Sequence, residues 1–181
     1  MTDRIETGLA VVTGAGGGLG RALAIALCNK GMQVAGLGRQ IDALKGTQDL
    51  IEGGQFHPIE VDVANAEKIA EVFDKLQTDI APVRLLVNNA AVYPRRDILD
   101  ETADSFMQTV NINLGGVVNC TQAALTQMTK TGVGRILNVS TFADIAPIPA
   151  SAAYATSKGA ARIFSRSCVA DLGDRFPGIV I

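Results

Sequence analysis

Short apolar runs alternate along the chain with longer stretches in which apolar side chains recur every three or four residues. The first kind covers residues 9–13, 33–37, 56–61, 83–87 and 135–139, each expected to be a strand. The second kind predicts helices over 19–29, 42–51, 65–77, 104–130 and 151–172. Leu23, Ala26 and Leu27 are placed inward on the first helix, which Gly31 ends. Asn65 is placed at the cap of the third, with Ile69, Val72, Phe73 and Leu76 on its apolar face. Alternation with short connections predicts an α/β fold: a doubly wound parallel sheet covered by helices on both faces. Ligands of such sheets sit at the carboxyl ends of the strands, where the winding reverses. The last residues, Gly178-Ile179-Val180-Ile181, open like a sixth buried strand. A charged terminus is costly to bury there and would leave a sheet edge bare. The 181 residues are therefore expected to be one domain of a longer protein.

Composition narrows the partners. A hydrophobic content of 48% with only 4% aromatics suits a core of small aliphatic side chains, as buried parallel sheets prefer. Sixteen basic against eighteen acidic residues give a net charge of −2, which argues against a nucleic-acid partner. No apolar run reaches membrane-spanning length, and the start, Met1-Thr2-Asp3-Arg4-Ile5-Glu6, is polar, so neither a span nor a signal segment is expected. Cys28, Cys120 and Cys168 are odd in number and outside any C-x-x-C, which suits reduced core thiols in a cytoplasmic protein. His57 has no partner at metal-ligand spacing, and no metal site is expected.

Candidate chemistry begins where the first strand ends. Gly14, Gly16, Gly17, Gly18 and Gly20 lead from it into the first helix. Without Cβ atoms the backbone can approach an anion, and the helix start offers free N–H groups and the positive end of its dipole. Far downstream, Tyr154 and Lys158 are four residues apart on a helix and share a face. A free tyrosine, with a pKa of about 10, is a poor acid or base near neutral pH, and a cation one turn away favours the phenolate. Such a pair suits general acid catalysis.

Thr13-Gly14-x-x-x-Gly18-x-Gly20, Asp62-Val63, Asn88-Asn89-Ala90-Ala91, Asn113, Asn138-Val139-Ser140-Thr141 and Tyr154-x-x-x-Lys158 occur in that order. The ordered set resembles the short-chain dehydrogenase/reductase family, over essentially the whole chain. The resemblance implies a Rossmann-like domain whose C-terminal substrate-lid part is missing, and an NAD(P)-dependent oxidoreductase acting on a small carbonyl or alcohol. It implies a coenzyme site of Gly14, Gly18, Leu19, Gly20, Asp62, Val63, Asn89, Ala90, Tyr154 and Lys158, with Asp62 on the adenine amino group and Val63 beside the ring. Asn88 is expected to brace strands instead. Ala91 departs from the family's usual glycine. At the end of the second strand, where the family often has a carboxylate for a free ribose, stand Gly38 and Arg39. A guanidinium grips phosphate through two parallel bonds, so NADP(H) is favoured over NAD(H).

The resemblance also implies a catalytic set of Asn113, Thr141, Tyr154 and Lys158. Tyr154 would donate the proton, Lys158 would tune it and bond the nicotinamide ribose, and Asn113 would hold a relay water. Thr141 stands in for the usual serine, thirteen positions before Tyr154, while the adjacent Ser140 should point the other way. The family also implies a homodimer or homotetramer packed through the long helices. The competing expectation is a nucleotide-binding fragment without turnover.

Overall fold

The computed structural model describes residues 8–146 and 148–181. The polar start lies outside the described residues. The elements run β1 (Leu9–Thr13), α1 (Gly18–Asn29), β2 (Gln33–Gly38), α2 (Ile41–Gln48), β3 (Gln55–Glu60), α3 (Ala66–Asp79), β4 (Val83–Asn88), α4 (Ala103–Val110), α5 (Gly116–Thr131), β5 (Gly134–Asn138), α6 (Ala152–Leu172) and β6 (Ile179–Val180). All strand pairs are parallel, in the order β3-β2-β1-β4-β5-β6. The winding reverses between β1 and β4, and the sheet is Rossmann-like, as expected.

Every residue of β1 is buried, and its side chains alternate between two cores. Leu9 and Val11 pack with Leu37, Ile69, Phe73, Leu86, Cys120 and Met128 on one face. Ala10 and Val12 pack with Ala24, Cys28, Val34 and Leu44 on the other. Each aliphatic or phenyl side chain removed from water in this way contributes roughly 1.5–3 kcal/mol. Asn65 caps α3 by accepting the Lys68 N–H at 3.0 Å, and Ile69, Phe73 and Leu76 are its buried stripe.

Two readings change. On α1 the buried stripe is Gly20, Ala24 and Cys28, with Leu23 and Leu27 flanking it and Ala26 exposed. Small residues at that spacing let the helix lie close to the sheet. The long helix over 104–130 is not uniform either: a π-turn, Asn111–Gly115, separates α4 from α5. Such single wide turns recur at functional sites. Pro58 sits in β3, an edge strand, where a missing N–H is tolerated.

Candidate active site

β1 hands the chain to α1 through Gly14, at φ 69°, and Gly18, at φ 49°, both left-handed conformations that favour glycine. Gly20 is required for a different reason: a Cβ there would stand 2.2 Å from the Gly14 carbonyl oxygen. Gly17 and Gly18 instead face open space. The α1 start has no side-chain cap and no acidic residue in its first turn, so its N–H groups point free into that space. Arg21 braces the turn from behind, donating to the Gly16 carbonyl at 2.5 Å and to Thr47 Oγ1 at 3.0 Å. Thr47 in turn donates to the Ala15 carbonyl at 2.8 Å. Leu19 is 54% exposed beside the turn. Arg39 lines the same cleft as Gly14, Gly16, Gly17 and Gly38, and its guanidinium has no hydrogen-bond or ion-pair partner among the described residues.

Thr13 ties this turn to β4. Its hydroxyl accepts from the Asn89 N–H at 3.0 Å and the Ala90 N–H at 2.9 Å. The Asn89 amide donates back to the Thr13 carbonyl at 3.0 Å. Asn88 spends its amide on Thr121 Oγ1 and Asn138 Oδ1, at 3.2 and 2.8 Å, and so braces strands as expected. Asp62 is exposed, and its Oδ1 accepts from the Ala64 N–H at 3.0 Å. Val63 is 6% exposed, and its side chain packs where a Cβ on Gly116 would fall. Its carbonyl is held by the Asn119 amide at 2.9 Å.

The second half of the site is built on α6. Tyr154 and Lys158 stand on one face, and the Tyr154 hydroxyl has no partner among the described residues. Lys158 is 3% exposed and donates to the Val139 carbonyl at 2.8 Å. Burial pushes the Lys158 ammonium below its usual pKa of 10.5. One bond uses one of its three N–H donors, which leaves two for a ligand. Thr141 Oγ1 accepts from the Ala143 N–H at 3.2 Å, capping a short turn, Phe142–Asp144. Its own O–H proton remains uncommitted. Ser140 is exposed and lines a cleft together with Val139, Lys158 and Ile181. Asp144, whose side chain is 1% exposed, pairs with Arg162 at 2.8 Å and latches that turn to α6.

Asn113 lies fully buried in the π-turn. Its side chain ties a loop to two helices and keeps one acceptor lone pair on Oδ1 beyond its bonds to them. Oδ1 accepts from the Val92 N–H at 2.8 Å, and Nδ2 donates to the Val92 carbonyl at 2.9 Å and to Ser157 Oγ at 3.0 Å. Sequence reasoning missed Thr13, Arg21, Val139 and Ser157 as supports. Thr13 lay within the quoted glycine motif; a backbone acceptor such as Val139 leaves no side-chain signal at all.

The short chain dehydrogenase family model matches residues 8–176. The chain belongs to that family. It is 34% identical over 167 residues to "Probable oxidoreductase EphD" of Mycobacterium tuberculosis, covering 91% of this chain but 28% of that protein. It is 31% identical over 173 residues to the "NADP-dependent (R)-specific alcohol dehydrogenase" of Lentilactobacillus kefiri, covering 94% of this chain and 69% of that one. Among solved structures, NAD+-bound xylitol dehydrogenase superposes with a TM-score of 0.89 at 29% identity, over 97% of this chain and 67% of that one. The relatives thus include one named for NADP and one holding NAD+. A dinucleotide fits the residues present: bare turn and helix N–H groups for a diphosphate, and, among the described residues, an unpartnered Arg39 and two free donors on Lys158. Among the described residues no helix is long and apolar enough to cross a membrane, and no cluster of His, Cys, Asp and Glu could hold a metal. Cys28, Cys120 and Cys168 are unpaired, and burial pushes Cys120 up to about 12.

Proposed function

We propose that the protein is an NADP(H)-dependent reductase interconverting a carbonyl and a secondary alcohol. One observation carries the reading: an uncommitted Tyr154 hydroxyl lies one helical turn from a buried, oriented Lys158. The coenzyme, when bound, supplies or accepts the hydride. Tyr154 delivers the matching proton to the carbonyl oxygen, or removes it from the alcohol. Lys158, in surroundings of low dielectric, stabilises the phenolate that the first transfer leaves. Its two remaining N–H groups bond the ribose hydroxyls. Thr141, its hydroxyl oriented by the Ala143 N–H, donates its proton to the same substrate oxygen.

Gly14, Gly18, Leu19 and Gly20 form the diphosphate site, with Asn89 and Ala90 as the wall held by Thr13. Asp62 takes the adenine, with Val63 beside the ring. Arg39 meets the 2′-phosphate, which is why NADP(H) is preferred. The exposed apolar residues Met107, Ile163 and Val169 on α4 and α6 support assembly as a dimer or tetramer.

The deciding experiment pairs a panel of ketones and aldehydes with NADPH, followed by absorbance. Wild-type protein is expected to oxidise NADPH with at least one of them. Tyr154→Phe is expected to lower kcat roughly a thousandfold, within the usual range for losing a general acid. Coenzyme affinity, read by NADPH fluorescence, should stay within twofold. Tight NADPH binding with no turnover of any carbonyl would favour a nucleotide-binding role without catalysis.

A further inference from the structure

We propose that Tyr93 is a positioning residue that holds Tyr154 in one orientation by stacking on its ring, a role that rests on the reductase reading of Tyr154. The two ring centroids are 4.3 Å apart with 30° between the planes. Ring stacking is favourable beyond the area it buries. Tyr154 needs such help, because its hydroxyl has no fixed partner among the described residues and a phenol swings about two torsions.

Tyr93 is itself anchored at both ends. Its hydroxyl lies 2.6 Å from Ser151 Oγ. Ser151 Oγ also lies 3.3 Å from the Pro149 carbonyl, and either hydroxyl can be the donor of the Tyr93–Ser151 pair. The preceding residue, Val92, is gripped through both its N–H and its carbonyl by Asn113. Asn113 also donates to Ser157 Oγ, and Ser157 donates to the Tyr154 carbonyl at 2.7 Å. A closed circuit therefore runs from Asn113 through Val92 and Tyr93 to the Tyr154 ring, and back through Ser157. It gives a fully buried asparagine its purpose: one acceptor and both amide donors join this loop to this helix.

The chain has two tyrosines and no tryptophan, so a protein labelled with 13C-tyrosine gives two sets of ring signals in NMR. Tyr93→Leu leaves only those of Tyr154. They are expected to move toward the free-tyrosine position, whereas in Tyr93→Phe the ring-current shift persists. In the carbonyl assay Tyr93→Leu should lose roughly tenfold in kcat with KM within twofold. Tyr93→Phe, which keeps the ring and drops the Ser151 bond, should recover most of that loss. Ser151→Ala, which loosens the anchor and keeps both rings, should fall between them. Tyr154 signals unmoved by Tyr93→Leu, or equal losses in the Leu and Phe variants, would overturn the role. If wild-type protein turns over no carbonyl, the reductase reading fails while the ring signals still decide whether Tyr93 orients Tyr154.

Discussion

The two halves of the rim are built of different materials. Between β1 and α2 the site is backbone: glycines without Cβ atoms, free helix N–H groups, and an exposed Arg39 at the edge. Around α6 it is side chains, each held by another: Lys158 by Val139, Thr141 by Ala143, Asn113 by Val92, Tyr154 by Ser157 and Tyr93. A backbone cradle suits a ligand part common to many enzymes, since it recognises charge and shape with no side chain to vary. A propped cluster suits chemistry, where a proton must leave from one defined atom. The first half tolerates no added atoms at its pinch points; the second tolerates no missing bonds.

The largest effect expected on the first half comes from Gly20→Ala. The added methyl meets the Gly14 carbonyl and the Asn89 amide, at 2.2 and 2.6 Å; the first cannot retreat without moving the end of β1, and the second only by giving up its bond to the Thr13 carbonyl. A loss of about 1–3 kcal/mol follows, and helix propensity returns only part of it. Gly17→Ala, three residues earlier, meets nothing within 4 Å. It should cost less than about 1 kcal/mol in urea unfolding yet weaken NADPH binding. If both variants unfold alike, the distinction between pinch point and cradle is wrong.

Arg39→Asp comes next. NADPH affinity should fall about tenfold and NADH affinity rise, with stability untouched, since Arg39 braces nothing among the described residues. Equal affinities for the two coenzymes in wild-type protein would remove the basis of the preference.

The smallest effect tests the second half. Burial lowers the pKa of Lys158, so the unfolded chain keeps this proton at pH values where the folded one begins to release it. Stability from this group therefore rises with pH through the window between the folded pKa and the unfolded value near 10.5. Below that window the full cost of burying the cation is present. Lys158→Met should melt higher than wild type at neutral pH, with the gap narrowing in alkaline buffer. Identical melting temperatures at every pH would mean that the Val139 bond offsets the burial cost.

The contrast also explains what could be seen without coordinates. Apolar runs marked the strands because a sheet buried on both faces demands them, and glycines marked the turn because nothing else fits there. Tyr154 and Lys158 were legible because their chemistry fixes their spacing. The π-turn at Asn111–Gly115 was not, since one wide turn barely disturbs a helical period. Tyr93 was not, because the segment that carries it has no repeating pattern and its partner lies about sixty residues on. Ala26 was placed inward because it is apolar, yet the close approach of α1 to the sheet is made by Gly20, Ala24 and Cys28.

Ala150 holds a left-handed backbone, at φ 59°, just ahead of α6. A side chain there costs on the order of 1 kcal/mol. The Arg96 N–H donating to the Ala150 carbonyl at 3.1 Å helps to keep it in place. The loop after β4 and the lead-in to the tyrosine-bearing helix are consequently tied to each other. Holding the stretch around Arg96 in place therefore also holds the residue that sets where the phenol-bearing helix begins.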